Sequence, residues 1–428
     1  MDHKRIAFKN NAGLNIIATD KFKTGFLSIN FIRPLSRGEN AKNALLVQVL
    51  RRGCSEFKTQ REINLKLSKN YGMRLEPLVR KRGECQIFGF YCTMINNSFA
   101  FEGEDILRNA VNLMEKMIFE PLVKDGAFLE EYVESEKRNL KNYIAAQIND
   151  KISYSIKRAT EEMCKGEPYA LSAYGEADDV EKITPDELYR HYIDIINEAK
   201  LEIFYVGSEK EKEVESAFEY VKKLPVRMIG ALPAVKVTGE VKETRRVTEE
   251  LRVAQGKLAI GCRTGIVEGD ELYPALVLAN ALFGSTPVSK LFMNVREKLS
   301  LCYYVRSNID KLKGVMIIAA GIENENLGVT LKEIEVQLSA LKRGEISEGE
   351  LTAARAALAT MINSTLDSGY QTEDYYITGA ISGGASSPLE LLKKLERVTL
   401  DEIIAAANAI KYDTIYFLKG TAEAEGNE

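Results

Sequence analysis

Ala44-Leu-Leu-Val-Gln-Val-Leu-Arg-Arg-Gly53 and Ala275-Leu-Val-Leu-Ala-Asn-Ala-Leu-Phe-Gly284 are two versions of one pattern. Each reads as an apolar helical run closed by glycine, the residue that tolerates the left-handed conformation past a helix end. At the same offset upstream of each lies a strand pattern, Gly25-Phe-Leu-Ser-Ile-Asn-Phe and Gly256-Lys-Leu-Ala-Ile-Gly-Cys. Period-two alternation puts Leu27, Ile29 and Phe31, or Leu258 and Ile260, on one face. Self-similarity over this distance fixes the architecture before any single element is assigned.

A second matched pair closes the two halves. Glu181-Lys-Ile-Thr-Pro-Asp-Glu-Leu and Glu396-Arg-Val-Thr-Leu-Asp-Glu-Ile both place a threonine, Thr184 or Thr399, three residues before a glutamate, Glu187 or Glu402. That is capping-box spacing, in which the two side chains satisfy orphan amides of a new helix. Pro185 falls at the first helical position, where its missing N–H costs nothing. Each helix leads into an apolar strand, Leu201-Glu-Ile-Phe-Tyr-Val-Gly207 and Asp413-Thr-Ile-Tyr-Phe-Leu-Lys-Gly420. Runs of helix beside runs of strand predict an α+β chain of two homologous α/β sandwich-layer domains, not a doubly wound sheet. The expected boundaries are 1–222 for the first domain and 246–428 for the second. The linker between them, 223–245, has two prolines, glycines and a charged stretch, Gly239-Glu-Val-Lys-Glu-Thr-Arg-Arg.

Composition narrows the function. The chain has 428 residues, 45% hydrophobic and 28% charged, enough apolar material for two cores. Fifty-eight basic against 62 acidic residues leave a net charge of -4, so a bulk electrostatic footprint for nucleic acid is absent. The two histidines, His3 and His191, are far apart in sequence, whereas a zinc hydrolase takes two or three imidazoles at short spacing. His191 reads as lying on the polar side of an amphipathic helix. Six scattered cysteines without a C-x-x-C pair suggest buried thiols in a reducing compartment. No stretch approaches the length of a membrane span and the N-terminus has no apolar leader core, so a cytoplasmic location is expected.

The duplicated halves and the string Lys290-Leu-Phe-Met-Asn-Val-Arg-Glu-Lys-Leu-Ser-Leu-Cys-Tyr-Tyr-Val305 resemble the pitrilysin/insulinase-type metallopeptidases, mitochondrial processing peptidases among them, along essentially the whole chain. The sharpest element is an arginine with a tyrosine seven positions on, Arg296 and Tyr303. The resemblance implies one half of a clamshell. Active members carry H-x-x-E-H in the helix ending at the first-half glycine. Here that place reads Ala44-Leu-Leu-Val-Gln48, with Ala44 and Gln48 at the histidine positions and Val47 at the glutamate position. The third ligand, a glutamate seven residues after Glu136, is Tyr143. No zinc is therefore expected on this chain, and no peptidase activity from it alone. The resemblance implies zinc in a homologous H-x-x-E-H partner subunit. Arg296 and Tyr303, with Tyr304 as second choice, would complete that partner's site by holding the substrate backbone.

Two functions follow. The first is a catalytically inactive subunit of a heterodimeric zinc metallopeptidase, gripping an unfolded peptide as an added strand at a sheet edge. The alternative is a non-proteolytic scaffold or peptide-binding protein of the same fold; self-association of the isolated chain as a homodimer is open in either case. Other features read as ordinary. The acidic group Glu130, Glu131, Glu134 and Glu136 reads as a solvated helix face paired with Lys137, Arg138 and Lys141. Arg51-Arg52 and Arg80-Lys81-Arg82 read as surface charge, and Thr378-Gly-Ala-Ile-Ser-Gly-Gly-Ala-Ser-Ser-Pro388 as a flexible loop.

Overall fold

The computed structural model describes residues 2–228, 232, 234–384 and 387–421. Ile229, Gly230, Ala231 and Pro233 of the expected linker, and Ala385 and Ser386 of the glycine- and serine-rich stretch, lie outside them. In chain order the strands are β1 (Asp2–Ala7), β2 (Ala12–Ala18), β3 (Thr24–Pro34), β4 (Arg74–Arg82), β5 (Cys85–Ile95), the two-residue pair β6 (Val123–Lys124) and β7 (Ala127–Phe128), β8 (Lys200–Gly207), β9 (Arg245–Leu251), β10 (Gly256–Arg263), β11 (Cys302–Asp310), β12 (Val315–Ile322) and β13 (Lys411–Gly420).

The duplication is plain in the sheets. One has the order β1-β2-β8-β3-β5-β4 and the other β11-β12-β10-β13-β9. Read from the opposite edge, the second repeats β2-β8-β3-β5-β4 strand for strand. The senses agree too: β2 and β8 pair parallel, as do β9 and β13, and the remaining pairs are antiparallel. This is a mixed α+β sheet, as the pattern predicts.

Two compact units form, each discontinuous in sequence. The first comprises residues 1–145, 171–233 and 366–381, the second 146–170, 234–365 and 382–428. In the first unit Leu27, Ile29 and Phe31 of β3 face a core shared with the buried helix Asn40–Leu50, while Phe26 and Ile32 meet Tyr376 and Ile377 of the helix Gly369–Ser382 on the other face. In the second unit Leu258 and Ile260 of β10 face a core with the helix Tyr273–Asn280. There the other sheet face is covered by the helix Lys151–Met163, whose Ala159 packs against Ala259, Tyr416 and Leu418. Each sheet is thus covered on its second face by a helix encoded in the other half of the chain. Sequence reasoning placed 378–382 in a loop; it is the end of that covering helix, and Gly383 and Gly384 follow it at positive φ.

Two further expectations are corrected. Neither Gly53 nor Gly284 is in the left-handed region. They permit close approach instead: a Cβ on Gly53 would lie 2.7 Å from the Lys58 carbonyl oxygen, and one on Gly284 3.0 Å from the Ser307 backbone nitrogen. Thr399 and Glu402 form a complete capping box, but Thr184 does only half of the work. Its hydroxyl accepts from the Glu187 N–H, while the Glu187 carboxylate turns to Lys42 instead. Among the described residues no helix is long and apolar enough to cross a membrane.

Candidate functional site

In the first unit, Ala44 and Val47 are fully buried in the core and offer no donor atom. Gln48 is half-buried on the same helix. One turn on, Arg52 pairs with Glu136 of the helix Glu130–Ala146 at 3.1 Å, and Glu136 also accepts from Asn139 at 3.0 Å. Glu136 is therefore a buried structural carboxylate, not part of a solvated face. Two turns further along, Tyr143 is half-exposed and rests on Tyr174, ring centroids 4.6 Å apart. Burial, reinforced by the Tyr143 hydrogen bond, pushes the Tyr174 hydroxyl above its usual range. Tyr174 donates to the Val79 carbonyl at 3.1 Å, and Gly175 beside it sits tightly on Ala41. An amide, a phenol and two aliphatic side chains do not fit a zinc ion, which asks for imidazole, thiolate or carboxylate. Among the described residues no group of three His, Cys, Asp or Glu is arranged to hold a metal.

The two histidines are structural as well. His191 is buried, not on a polar helix face: its Nε2 pairs with Asn43 Oδ1 at 2.7 Å, and Asn43 donates to Gln86 at 2.8 Å. Burial pushes the imidazole down to about 4. His3 pairs with Asn15 at 2.9 Å. The basic clusters are largely internal. Arg51 donates to the Leu75 carbonyl at 3.1 Å and to Asn64 at 3.0 Å. Arg80 reaches Glu373 at 2.6 Å and Asp374 at 2.7 Å, nearly three hundred residues away in sequence.

In the second unit, Arg296 stands on the wide π-helical turn Leu291–Lys298. Its side chain is 41% exposed, lies over the Phe292 ring at 4.7 Å and approaches Glu297 at 3.5 Å. The turn closes through Ser300, whose φ of 51° is unusual for a residue with a side chain. β11 then begins with a register shift against β12 between Cys302 and Tyr304, so Tyr303 is the extra residue of a bulge. It is 61% exposed, and no hydrogen bond engages its hydroxyl among the described residues. Among the described residues β11 is an edge strand, paired only with β12. Cys302 is buried; burial pushes its thiol up to about 11, with Arg296 pulling the other way. Tyr304 points elsewhere. Its ring covers Gly321, Lys257 Nζ is 6.0 Å from the ring, and its buried hydroxyl has no hydrogen-bond partner among the described residues. Tyr304 is thus built into the sheet, while Tyr303 and Arg296 present donors to the outside. The π-turn, the left-handed serine and the bulge were not foreseen from the sequence, which contains no glycine or proline between Leu291 and Asp310 to announce them.

Comparison with known proteins adds the following. The profile of the Peptidase M16 inactive domain matches residues 182–358. A protein of Bacillus subtilis (strain 168) named probable inactive metalloprotease YmfF is 36% identical over 411 residues, 96% of each chain. A conserved protein of Enterococcus faecalis V583 superposes with a TM-score of 0.88 at 27% identity, over 99% of this chain and 100% of that one. A protease from Helicobacter pylori shares the fold, with a TM-score of 0.81 at 15% identity over 98% and 99% of the two chains.

Proposed function

This chain belongs to the M16 peptidase family, the pitrilysin/insulinase type, and from that premise we propose that it is a catalytically inactive subunit that completes the site of a homologous H-x-x-E-H subunit. The observation that carries the reading is the irregular segment from Leu291 to Tyr303. Three departures from regular backbone fall within it, and they accompany a part-exposed guanidinium and an exposed phenol where an edge strand begins. Such irregularities cluster where side chains must be aimed.

In this reading a stretched peptide adds alongside the open edge of β11, where backbone hydrogen bonds hold it with little regard for sequence. Arg296 and Tyr303 donate to the carbonyl oxygen that gains negative charge as the bond is attacked. Zinc in the partner would supply the activated water. This chain's share is to bind, orient and stabilise charge.

The test is a peptidase assay on the complex with an H-x-x-E-H relative from the same cell. Arg296→Ala and Tyr303→Phe should each lower kcat/KM by about one to three powers of ten, the cost of one lost oxyanion donor, with the complex still formed on a sizing column. Unchanged turnover in both variants overturns the assigned role. A complex that binds peptide and never cleaves it favours the scaffold reading.

A further inference from the structure

The extended segment Leu224–Met228 is patterned inside out. Val226 and Met228 are 66% and 81% exposed, yet Arg227 between them is 1% exposed. The backbone fixes this orientation. The Arg227 N–H donates to the Asn10 carbonyl at 3.3 Å, Asn11 donates to the Arg227 carbonyl at 2.9 Å, and the Met228 N–H donates to the Asn197 carbonyl at 2.9 Å.

The buried guanidinium has no acceptor. Nε, Nη1 and Nη2 of Arg227 are all without a hydrogen-bond partner among the described residues, and so is the buried hydroxyl of Tyr220, which lies within the electrostatic reach of Arg227. Asn10 O already accepts from the Arg227 N–H, and Val221 O and Leu224 O from the Asn10 amide. Glu115, whose charge reaches Tyr220, forms no ion pair with Arg227. Phe119 and Phe218 flank Tyr220, their ring centroids 5.9 and 6.2 Å from its own.

A group of donors with no acceptor is complementary to a ligand that only accepts. The guanidinium cannot escape by losing its proton, since burial brings it down only to about 10. Buried cations are otherwise paired, and a buried polar group without a partner signals a missing ion or water. Water answers the hydrogen bonds but not the charge. A planar guanidinium fork matches two oxygens of a carboxylate or phosphate, and a hydroxyl within its electrostatic reach can donate to the same group.

We propose that Arg227 and Tyr220 form an internal binding site for a small oxyanion, a carboxylate or phosphate group, in the first unit. It is separate from the Arg296–Tyr303 segment and independent of any partner subunit.

Thermal denaturation of the full chain tests it, with inorganic phosphate or acetate titrated against sodium chloride at matched ionic strength. Tm should climb with each tenfold rise in one of the two anions; a response to phosphate assigns a phosphoryl ligand and one to acetate a carboxylate. Arg227→Met should abolish the climb and, having lost an unpaired buried charge, melt above the wild type in chloride alone. Should that variant not fold, Tyr220→Phe decides: it should keep the chloride Tm and weaken anion affinity about fivefold, the worth of one neutral hydrogen bond. No response of the wild type to either anion, or an identical response in Arg227→Met or Tyr220→Phe, overturns the site.

Discussion

The segments leading into β4 and into β11 hold the same place in two sheets of the same order, and they are built differently. Before β4 stands a regular helix, Gln60–Lys69, opened by a complete Thr59–Glu62 capping box. β4 then pairs with β5 without a register break from Arg74 to Arg82. Before β11 stands a π-helical turn without a side-chain cap, and the strand begins with a bulge. Topology is therefore not what bends the second segment. Duplication gave both halves the same frame, and of these two segments the one carrying Arg296 and Tyr303 has the π-helical turn and the bulge. The charged side chains divide the same way: Arg80 of β4 is buried in an ion-paired network, whereas Arg306 of β11 points to solvent.

The largest expected effect tests that division. Glu373 is fully buried and accepts from Arg80 at 2.6 Å, Ser28 at 3.0 Å and Asn30 at 3.2 Å. Glu373→Ala leaves the buried Arg80 cation with Asp374 as its remaining ion-pair partner, and breaking such a buried pair costs up to about 3–5 kcal/mol. Arg306→Ala on the other edge strand should stay within about 0.5 kcal/mol. Urea denaturation of both variants measures the contrast; similar losses would show that the two edges are equally locked and that solvent exposure of β11 carries no meaning.

The second test is acid. Aligning the halves sets His191 opposite Ala406, and Asn43 opposite Pro274, so a buried polar pair in one unit answers to apolar residues in the other. The fold holds the His191 imidazole down at about 4 against an ordinary 6.5. Between those values the unfolded chain takes up the proton and the folded chain does not. Stability is therefore full above pH 6.5 and falls as pH drops through the window, by at most about 3.5 kcal/mol at 1.4 kcal/mol per pH unit. Replacing His191 with Gln, which keeps a donor for Asn43, should flatten the slope over this range. Hydrogen exchange should find the acid loss in the first unit. A slope unchanged in the variant places the titration on other groups.

What the sequence disclosed and what it hid follow a physical line. The duplication, the strand faces of Leu27 and Leu258 and the Thr399 cap are local patterns, readable where they stand. Arg80 and Arg51 looked like surface charge because their partners, Glu373 and Asn64, are distant in sequence or invisible without the fold. The exchange of covering helices was hidden for the same reason. A helix pattern says that one face is apolar, not which sheet the face meets. Arg227 was missed because an arginine between a proline and a glycine reads as linker, and its inward turn is set by backbone hydrogen bonds to Asn10 and Asn197, distant in sequence.

The smallest effect concerns the turn shared by both edges. The chain passes through the left-handed region at Tyr71 (φ 60°) and Gly72 (φ 69°) before β4, and at Ser300 (φ 51°) before β11. A side chain there costs roughly 1–2 kcal/mol relative to glycine, against which glycine loses about 0.4–1 kcal/mol through the greater freedom of the unfolded chain. Ser300→Gly should therefore stabilise the protein by about 0.5–1 kcal/mol in denaturant titration. The same substitution loosens the turn between Arg296 and Tyr303, so under the proposed function turnover of the complex with an H-x-x-E-H subunit should fall about two- to threefold even as stability rises, because misplacement of aligned groups is costly to rate. The two readouts moving apart would mean that the strain is spent on aiming the side chains. If stability and turnover rise together, the left-handed serine is a leftover of the turn and the difference between the two edges lies in the bulge alone.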